Sequence, residues 1–200
     1  MWGRVGRASA CAVIGVGALV AGVVDAATGC GDPGDTAAVN DGFPQRLSSL
    51  VGADIRTGAH ACFERVVLEL QGSGELPGYR VAYQDDPIVE SPSGAVVEVA
   101  GDATLVLSVG VWMTSIEGAG YQGPHELFPT NVTNIAELEL IENFEGQSAW
   151  AIGLDRQRPF RVSTLADPVR IVIDIAVDQA APTPTTTTIA PAPPTLPATR

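Results

Sequence analysis

The sequence predicts an all-β fold, a sandwich or a barrel, and three observations point to it. Apolar residues alternate with polar ones over short runs, which is the pattern of strands with one buried face. Glycine, proline and other turn-forming residues separate these runs. No long stretch has a helical period, and many short strands divided by turns are typical of sandwiches and barrels.

Seven runs show the two-residue alternation, and each is predicted to form a strand. They lie at residues 66–70, 79–83, 105–111, 138–140, 150–154, 160–164 and 169–177. Turns are expected between them at residues 72–74, 77–78, 91–94, 118–124 and 167–168. Residues 136–141 contain good helix formers, so a short helix is the alternative there.

The first 29 residues predict a secretory signal peptide. Arg4 and Arg7 give a positive start, residues 8–24 form a short apolar run, and small residues follow it. The run is short for a helix that spans a bilayer, and an uncleaved membrane anchor is the alternative.

Cys30 has two competing interpretations. The segment Thr28-Gly29-Cys30 resembles a bacterial lipobox, in which the cysteine sulfur is acylated and the lipid holds the chain at the outer face of the membrane. After simple cleavage near residue 27, Cys30 would instead be able to pair with Cys62 outside the cytoplasm.

The rest of the chain divides into three predicted parts. Residues 30–49 are rich in Gly, Asp and Ala and are expected to form a flexible spacer. Residues 50–178 carry the strand pattern and are expected to form one β domain. Residues 179–200 are dominated by Pro and Thr and are expected to be a disordered tail.

The charge of the chain restricts its partners. The formal net charge is −12, and every cationic side chain apart from histidine is arginine. Nucleic acids attract basic proteins, so this balance argues against a nucleic-acid partner. Affinity for an anion must therefore come from a local group of arginines.

Arg156, Arg158 and Arg161 form the first such group. They lie between two predicted strands, so residues 155–159 are expected to form a hairpin tip. Planar guanidinium groups at a tip can bind carboxylates through paired hydrogen bonds. The alternative is internal pairing of these arginines with Asp155 and neighbouring acids.

Arg56 and Arg65 form a second candidate basic patch. Arg56 precedes an expected turn at Thr57 and Gly58, and His60 follows this turn and could join the patch. The alternative is that Arg65 simply lies on the outer face of the following strand.

His60 and Cys62 raise an enzymatic alternative. Side chains two residues apart on a strand share a face, so the imidazole could deprotonate the thiol. The triplet resembles the His-Gly-Cys core of L,D-transpeptidases, with Ala61 in place of the glycine. The spacing of His and Cys residues predicts no metal site, and the sequence indicates no cofactor.

Four segments in this order resemble the AMIN-like domain of exported actinobacterial proteins and lipoproteins. They read ADIRTGAHACFERVVLEL, LPGYRVAY, GLDRQRPFRV and DPVRIVIDI, and the resemblance covers about residues 50–177. It implies a small β-sandwich that targets exported proteins to peptidoglycan and has no chemistry of its own.

The sequence therefore predicts a non-catalytic module of the cell envelope. Its expected partner is peptidoglycan or another wall polymer, and its expected location is the outer face of the cytoplasmic membrane or the wall. Two alternatives stay open: a thiol-dependent wall transferase that uses Cys62 and His60, and a module that docks onto an envelope protein.

Overall fold

A computed structural model describes residues 30–178 of the chain, and that part is built from twelve strands. The predicted signal peptide and the predicted tail lie outside the described residues. The strands are β1 (Val39–Asp41), β2 (Val51–Ala59), β3 (Phe63–Gln71), β4 (Tyr79–Gln84), β5 (Ile88–Val89), β6 (Val96–Val97), β7 (Ala103–Val109), β8 (Glu126–Leu127), β9 (Ile135–Phe144), β10 (Gln147–Leu154), β11 (Phe160–Leu165) and β12 (Arg170–Ala176).

The strands form two stacked antiparallel sheets, which confirms the predicted β-sandwich. One sheet has six strands in the order β1-β4-β7-β10-β9-β8, and the other has four in the order β11-β12-β3-β2. Their inner faces share one apolar core, because alternate residues of each strand point inward. Fully buried members of this core include Leu68, Trp150, Ile152 and Ile171.

The predicted strands are present, and residues 136–141 are part of strand β9 rather than a helix. Leu138 and Leu140 are buried at two-residue spacing, so burial of one face outweighs the helix propensity of the segment. The predicted turn at Thr57 and Gly58 is wrong, because β2 continues to Ala59. The turn comes directly after it, where the backbone N–H of His60 donates to the carbonyl of Phe63 at 2.9 Å.

The predicted hairpin at residues 155–159 is also wrong. Strand β10 belongs to the six-stranded sheet and β11 to the four-stranded sheet, so this segment crosses from one sheet to the other. Alternation identifies each strand but carries no information about which sheet it joins.

Residues 30–49 are attached to the domain rather than forming a free spacer. Strand β1 pairs with β4 at the edge of the six-stranded sheet, and Val39 packs against the core. The N–H of Phe160 donates to the carbonyl of Asp35 at 2.8 Å, and a disulfide joins Cys30 to Cys62. Covering an exposed sheet edge in this way satisfies backbone groups that would otherwise be open to another chain.

A small third layer covers the outer face of the six-stranded sheet. Strands β5 and β6 pair with each other, and Ile88 is fully buried there against Val106, Ala149 and Ala151.

Among the described residues, no helix is long and apolar enough to cross a bilayer.

Candidate functional site

Three of the five predicted arginines lie on one surface, the outer face of the four-stranded sheet. The strand register places Arg161 opposite Asp174, and Asp174 opposite Arg65. We call this surface the arginine face, and its charged residues are Arg56, Arg65, Arg161, Arg170, Asp54, Glu69 and Asp174.

Arg65 is held in place at the centre of this face. Its Nε and one terminal nitrogen donate to the two carboxylate oxygens of Asp174 at 2.7 and 2.9 Å. Its guanidinium carbon lies 4.8 Å from the ring centroid of Phe63, a cation–π contact. These hydrogen bonds raise the pKa of Arg65, so it is a fixed charge. Both carboxylate oxygens of Asp174 accept hydrogen bonds from Arg65.

Arg56 is also paired on the arginine face. It donates to Asp54 and to Glu69, each at 2.9 Å, and the hydrogen bond to Asp54 is the main cause of its raised pKa. Its side chain stays about two-fifths exposed, so the pairs are screened by water. An incoming carboxylate would compete with both acids for this guanidinium.

Arg161 differs from these two because it makes no ion pair with any described residue, and it is exposed. Its stem lies against the backbone of Gly34, where an added Cβ would come within 2.7 Å of the Arg161 Cγ. It borders a cleft of about 180 Å³ that Phe63, the Cys30–Cys62 disulfide and two acids, Asp32 and Asp174, also line. This arginine is therefore positioned by packing while its charge remains available.

Arg158, predicted to bind a ligand, is instead buried, with only 2% of its surface exposed. Its guanidinium donates to both carboxylate oxygens of Asp155 at 2.7 Å, to Asn134 Oδ1 at 2.8 Å and to the Ala176 carbonyl at 3.1 Å. Because these partners hold the guanidinium inside the protein, it cannot reach a ligand in solvent. The ligand-binding role predicted for Arg158 is therefore wrong.

Arg156 pairs with Asp155 at 3.0 Å and forms a short hydrogen bond with Asp178. The predicted group of three arginines is thus divided. Arg156 and Arg158 form ion pairs within the segment that crosses between the sheets, which agrees with the alternative interpretation of internal pairing. Arg161 lies on a different surface, the arginine face.

The disulfide changes the interpretation of both cysteines. The Cα atoms of Cys30 and Cys62 are 5.4 Å apart, within the normal range for a bridge. A sulfur in a disulfide carries no lipid thioether and supplies no thiolate. The structure therefore contradicts Cys30 as a lipid anchor and leaves the His60–Cys62 transferase without its nucleophile. The His60 ring packs on Phe63 at a centroid distance of 4.5 Å.

Sequence reasoning missed Glu64, a buried carboxylate that organises the loop before β9. It is 2% exposed and accepts hydrogen bonds from the backbone N–H and hydroxyl of Thr133, and from the N–H groups of Asn134 and Ile135. The sequence did carry a signal for this burial, because Glu64 occupies the same alternating positions of the strand as the buried residues Val66 and Leu68.

Within residues 30–178, no three acidic, His or Cys side chains are grouped to hold a metal.

Two stacked antiparallel sheets with a charged outer face define the class, a small β-sandwich module. The model of the AMIN-like domain family matches residues 50–177, and the chain belongs to this family. Such domains are in general non-catalytic binding modules associated with the cell envelope. The chain matches no curated protein sequence and no solved structure.

Proposed function

We propose that this chain is an exported, non-catalytic module that binds peptidoglycan or a related anionic wall polymer through the arginine face. In this proposal it works at the outer face of the cytoplasmic membrane or in the wall. The observation that carries the proposal is Arg161, a positioned cation that pairs with no acid of residues 30–178 and lies on the outer face of an AMIN-like sandwich.

The charge distribution supports this choice of surface. The whole chain is strongly acidic, yet the arginine face carries four arginines against three carboxylates. An anionic polymer is repelled by most of such a molecule and is best accepted where cations are in excess. Stem peptides of peptidoglycan carry carboxylates, and a guanidinium binds a carboxylate through two parallel hydrogen bonds.

A pelleting assay with purified peptidoglycan sacculi tests the proposal. The full chain should pellet with sacculi at low salt, and pelleting should weaken as salt screens the exposed contacts. Arg161→Ala should reduce the affinity by roughly fivefold, the upper range for an exposed ionic contact. Arg80→Ala is the matched control, because Arg80 is an exposed arginine on the other sheet.

Two results would contradict the proposal: absence of pelleting at low salt, or equal pelleting by the wild type and the Arg161 variant. Recovery of one envelope protein in a pull-down, without any pelleting, would favour the docking alternative. Replacing Arg156 and Arg158 together is a poor test, because loss of the buried Arg158 would disturb the fold itself.

A further inference from the structure

A second surface, formed by side chains of residues 112–125 together with Asn143, has the form of a binding site. It is an open groove of about 500 Å³, within the size range of small-molecule sites. Aromatic, imidazole, amide and hydroxyl side chains line it, and no Asp, Glu or Arg is among the lining residues. Its lining residues include Trp112, Ser115, Ile116, Gln122, His125 and Asn143.

The walls of the groove are held by hydrogen bonds within the chain. Asn143 accepts from the N–H of Met113 at 2.8 Å and donates to the carbonyl of Thr114 at 2.9 Å. The Thr114 hydroxyl donates to the carbonyl of Tyr121 at 2.6 Å, and the Tyr121 hydroxyl donates to that of Pro124 at 2.8 Å. A ligand would meet a surface that is already ordered, which lowers the entropic cost of binding.

The rim of the groove, in contrast, presents groups that the described chain does not use. Trp112 faces outward and is half-buried, because Val111 and Met113 on either side of it are fully buried in the core. The side chains of Trp112 and His125 make no hydrogen bond with any described residue. Ile116 is 88% exposed, so the rim also presents an apolar side chain to solvent.

We propose that this groove binds an uncharged pyranose glycan. The C–H face of a sugar ring is apolar and packs on an aromatic face, while its hydroxyls require donors and acceptors around the rim. Trp112 supplies the aromatic face, and His125, Ser115 and Gln122 supply the polar groups. A lining without Asp, Glu or Arg fits a neutral ligand, in contrast to the arginine face.

The position of the groove agrees with this role. Trp112 contacts the start of β2, where the Gly52 N–H donates to its carbonyl at 2.9 Å, whereas the Cys30–Cys62 disulfide follows the end of β2. A strand of this length spans roughly 26 Å. The first and last described residues both lie at the disulfide end, where the Val177 N–H donates to the Cys62 carbonyl at 3.3 Å. The groove therefore faces away from the end at which the rest of the chain is attached.

Titration of the full chain with a tetramer of N-acetylglucosamine, followed by tryptophan fluorescence and by equilibrium dialysis, tests this inference. Binding should be saturable, and Trp112→Ala should weaken it by about tenfold or more, because tryptophan side chains often carry a large share of the binding energy. Trp112→Phe should retain part of the affinity and lose most of the fluorescence change, because Trp112 lines the groove and Trp150 is fully buried. His125→Ala, at an exposed position, should weaken binding without affecting folding.

Phe128→Ala is the matched control, since Phe128 is 59% exposed and does not line the groove. The inference rests on the proposed function only for the premise that the module meets wall polysaccharide. The two fail separately: Arg161→Ala should leave tetramer binding unchanged, and sacculi can pellet through the arginine face without tetramer binding. No saturable binding of the tetramer, or equal affinity in the Trp112→Ala and His125→Ala variants, would overturn the glycan site.

Discussion

Arg158 and Asp155 are joined by two parallel hydrogen bonds of 2.7 Å at the point where the chain passes from one sheet to the other. The same guanidinium reaches Asn134 before β9 and the carbonyl of Ala176 at the end of β12. Its backbone N–H and carbonyl both bond to the hydroxyl of Tyr83. One buried arginine thus ties together segments of both sheets.

Replacing Arg158 with methionine should destabilise the domain by about 3 kcal/mol, because it leaves Asp155 without its main partner and removes several buried hydrogen bonds. Arg158→Lys should recover only part of this loss, since an ammonium group lacks the planar fork of the guanidinium. Urea unfolding of the full chain measures both. Arg156→Ala is the control and should change stability by less than about 0.5 kcal/mol, because that side chain is half exposed. Equal stabilities for Arg158→Met and the wild type would contradict the clamp.

Local pattern predicted most of the long strands, because their two-residue alternation reflects which face is buried. β3, β4, β7, β10 and β12 were recognisable in this way. The pairing of strands was not, since β10 pairs with β7 and β9 and not with β11, and the alternation of a strand is the same whichever sheet it joins. β2 was missed because its outer face carries Arg56 and its inner face carries Thr57 and Ile55, which blurs the alternation.

The candidate site was predicted only in part, for a related reason. Arg161 and Arg65 share a surface through the register of three strands, and sequence spacing contains no such information. Arg158 was given the wrong role because its partners Asn134 and Ala176 lie 24 and 18 residues away. Arg158 and Arg161 are therefore close in sequence but lie in different parts of the structure.

Asp155 should make the free energy of unfolding decrease in acidic solution. Its hydrogen bonds with Arg158 hold the pKa of this carboxyl below the ordinary value of 3.8. Because the folded state releases this proton more readily than the unfolded state, the stabilisation is complete above that value and is lost as the pH falls through the lower, folded-state pKa. Asp155→Asn should lower stability at neutral pH and give a shallower decline in acid, measured as urea midpoints across the pH range. Parallel declines for variant and wild type would contradict this assignment.

Glu139 should affect the pH dependence of stability in the opposite direction to Asp155. Burial raises its pKa above the ordinary value of 4.5, and Glu137, Glu126 and Glu90 raise it further. The folded state then binds the proton first, so this group favours folding increasingly as the pH falls from neutrality toward 4.5. Glu139 also lies directly opposite Glu126 on β8. Glu139→Gln should stabilise the domain by about 0.5 kcal/mol at neutral pH, the scale of a like-charge cross-strand pair. The control Glu117→Gln, on an exposed loop, should show no gain. A destabilised Glu139→Gln variant would be the contrary result.

Glu64 should be required for order in the loop that precedes β9. Its carboxylate accepts four hydrogen bonds from residues 133–135, and removal would leave those donors without a partner. Glu64→Ala should cost about 3 kcal/mol, and hydrogen exchange at the Thr133, Asn134 and Ile135 amides should accelerate more than in the rest of β9. Glu69→Ala on the same strand is the control, because Glu69 lies on the outer face. Unchanged protection at these three amides would refute the role given to Glu64.

The Cys30–Cys62 disulfide should contribute substantially to stability, because it closes a loop between residues 32 apart in sequence. Chain-entropy arguments give about 3–4 kcal/mol for a loop of this size. Cys30→Ser and reduction of the wild type should therefore lower the urea midpoint by similar amounts, and Cys62→Ser should match them. Mass spectrometry of the purified chain provides the decisive check, since the disulfide requires a linked pair of peptides containing Cys30 and Cys62. An acyl group on Cys30 together with a reactive Cys62 thiol would contradict the bridge and return Cys30 to the role of a lipid anchor.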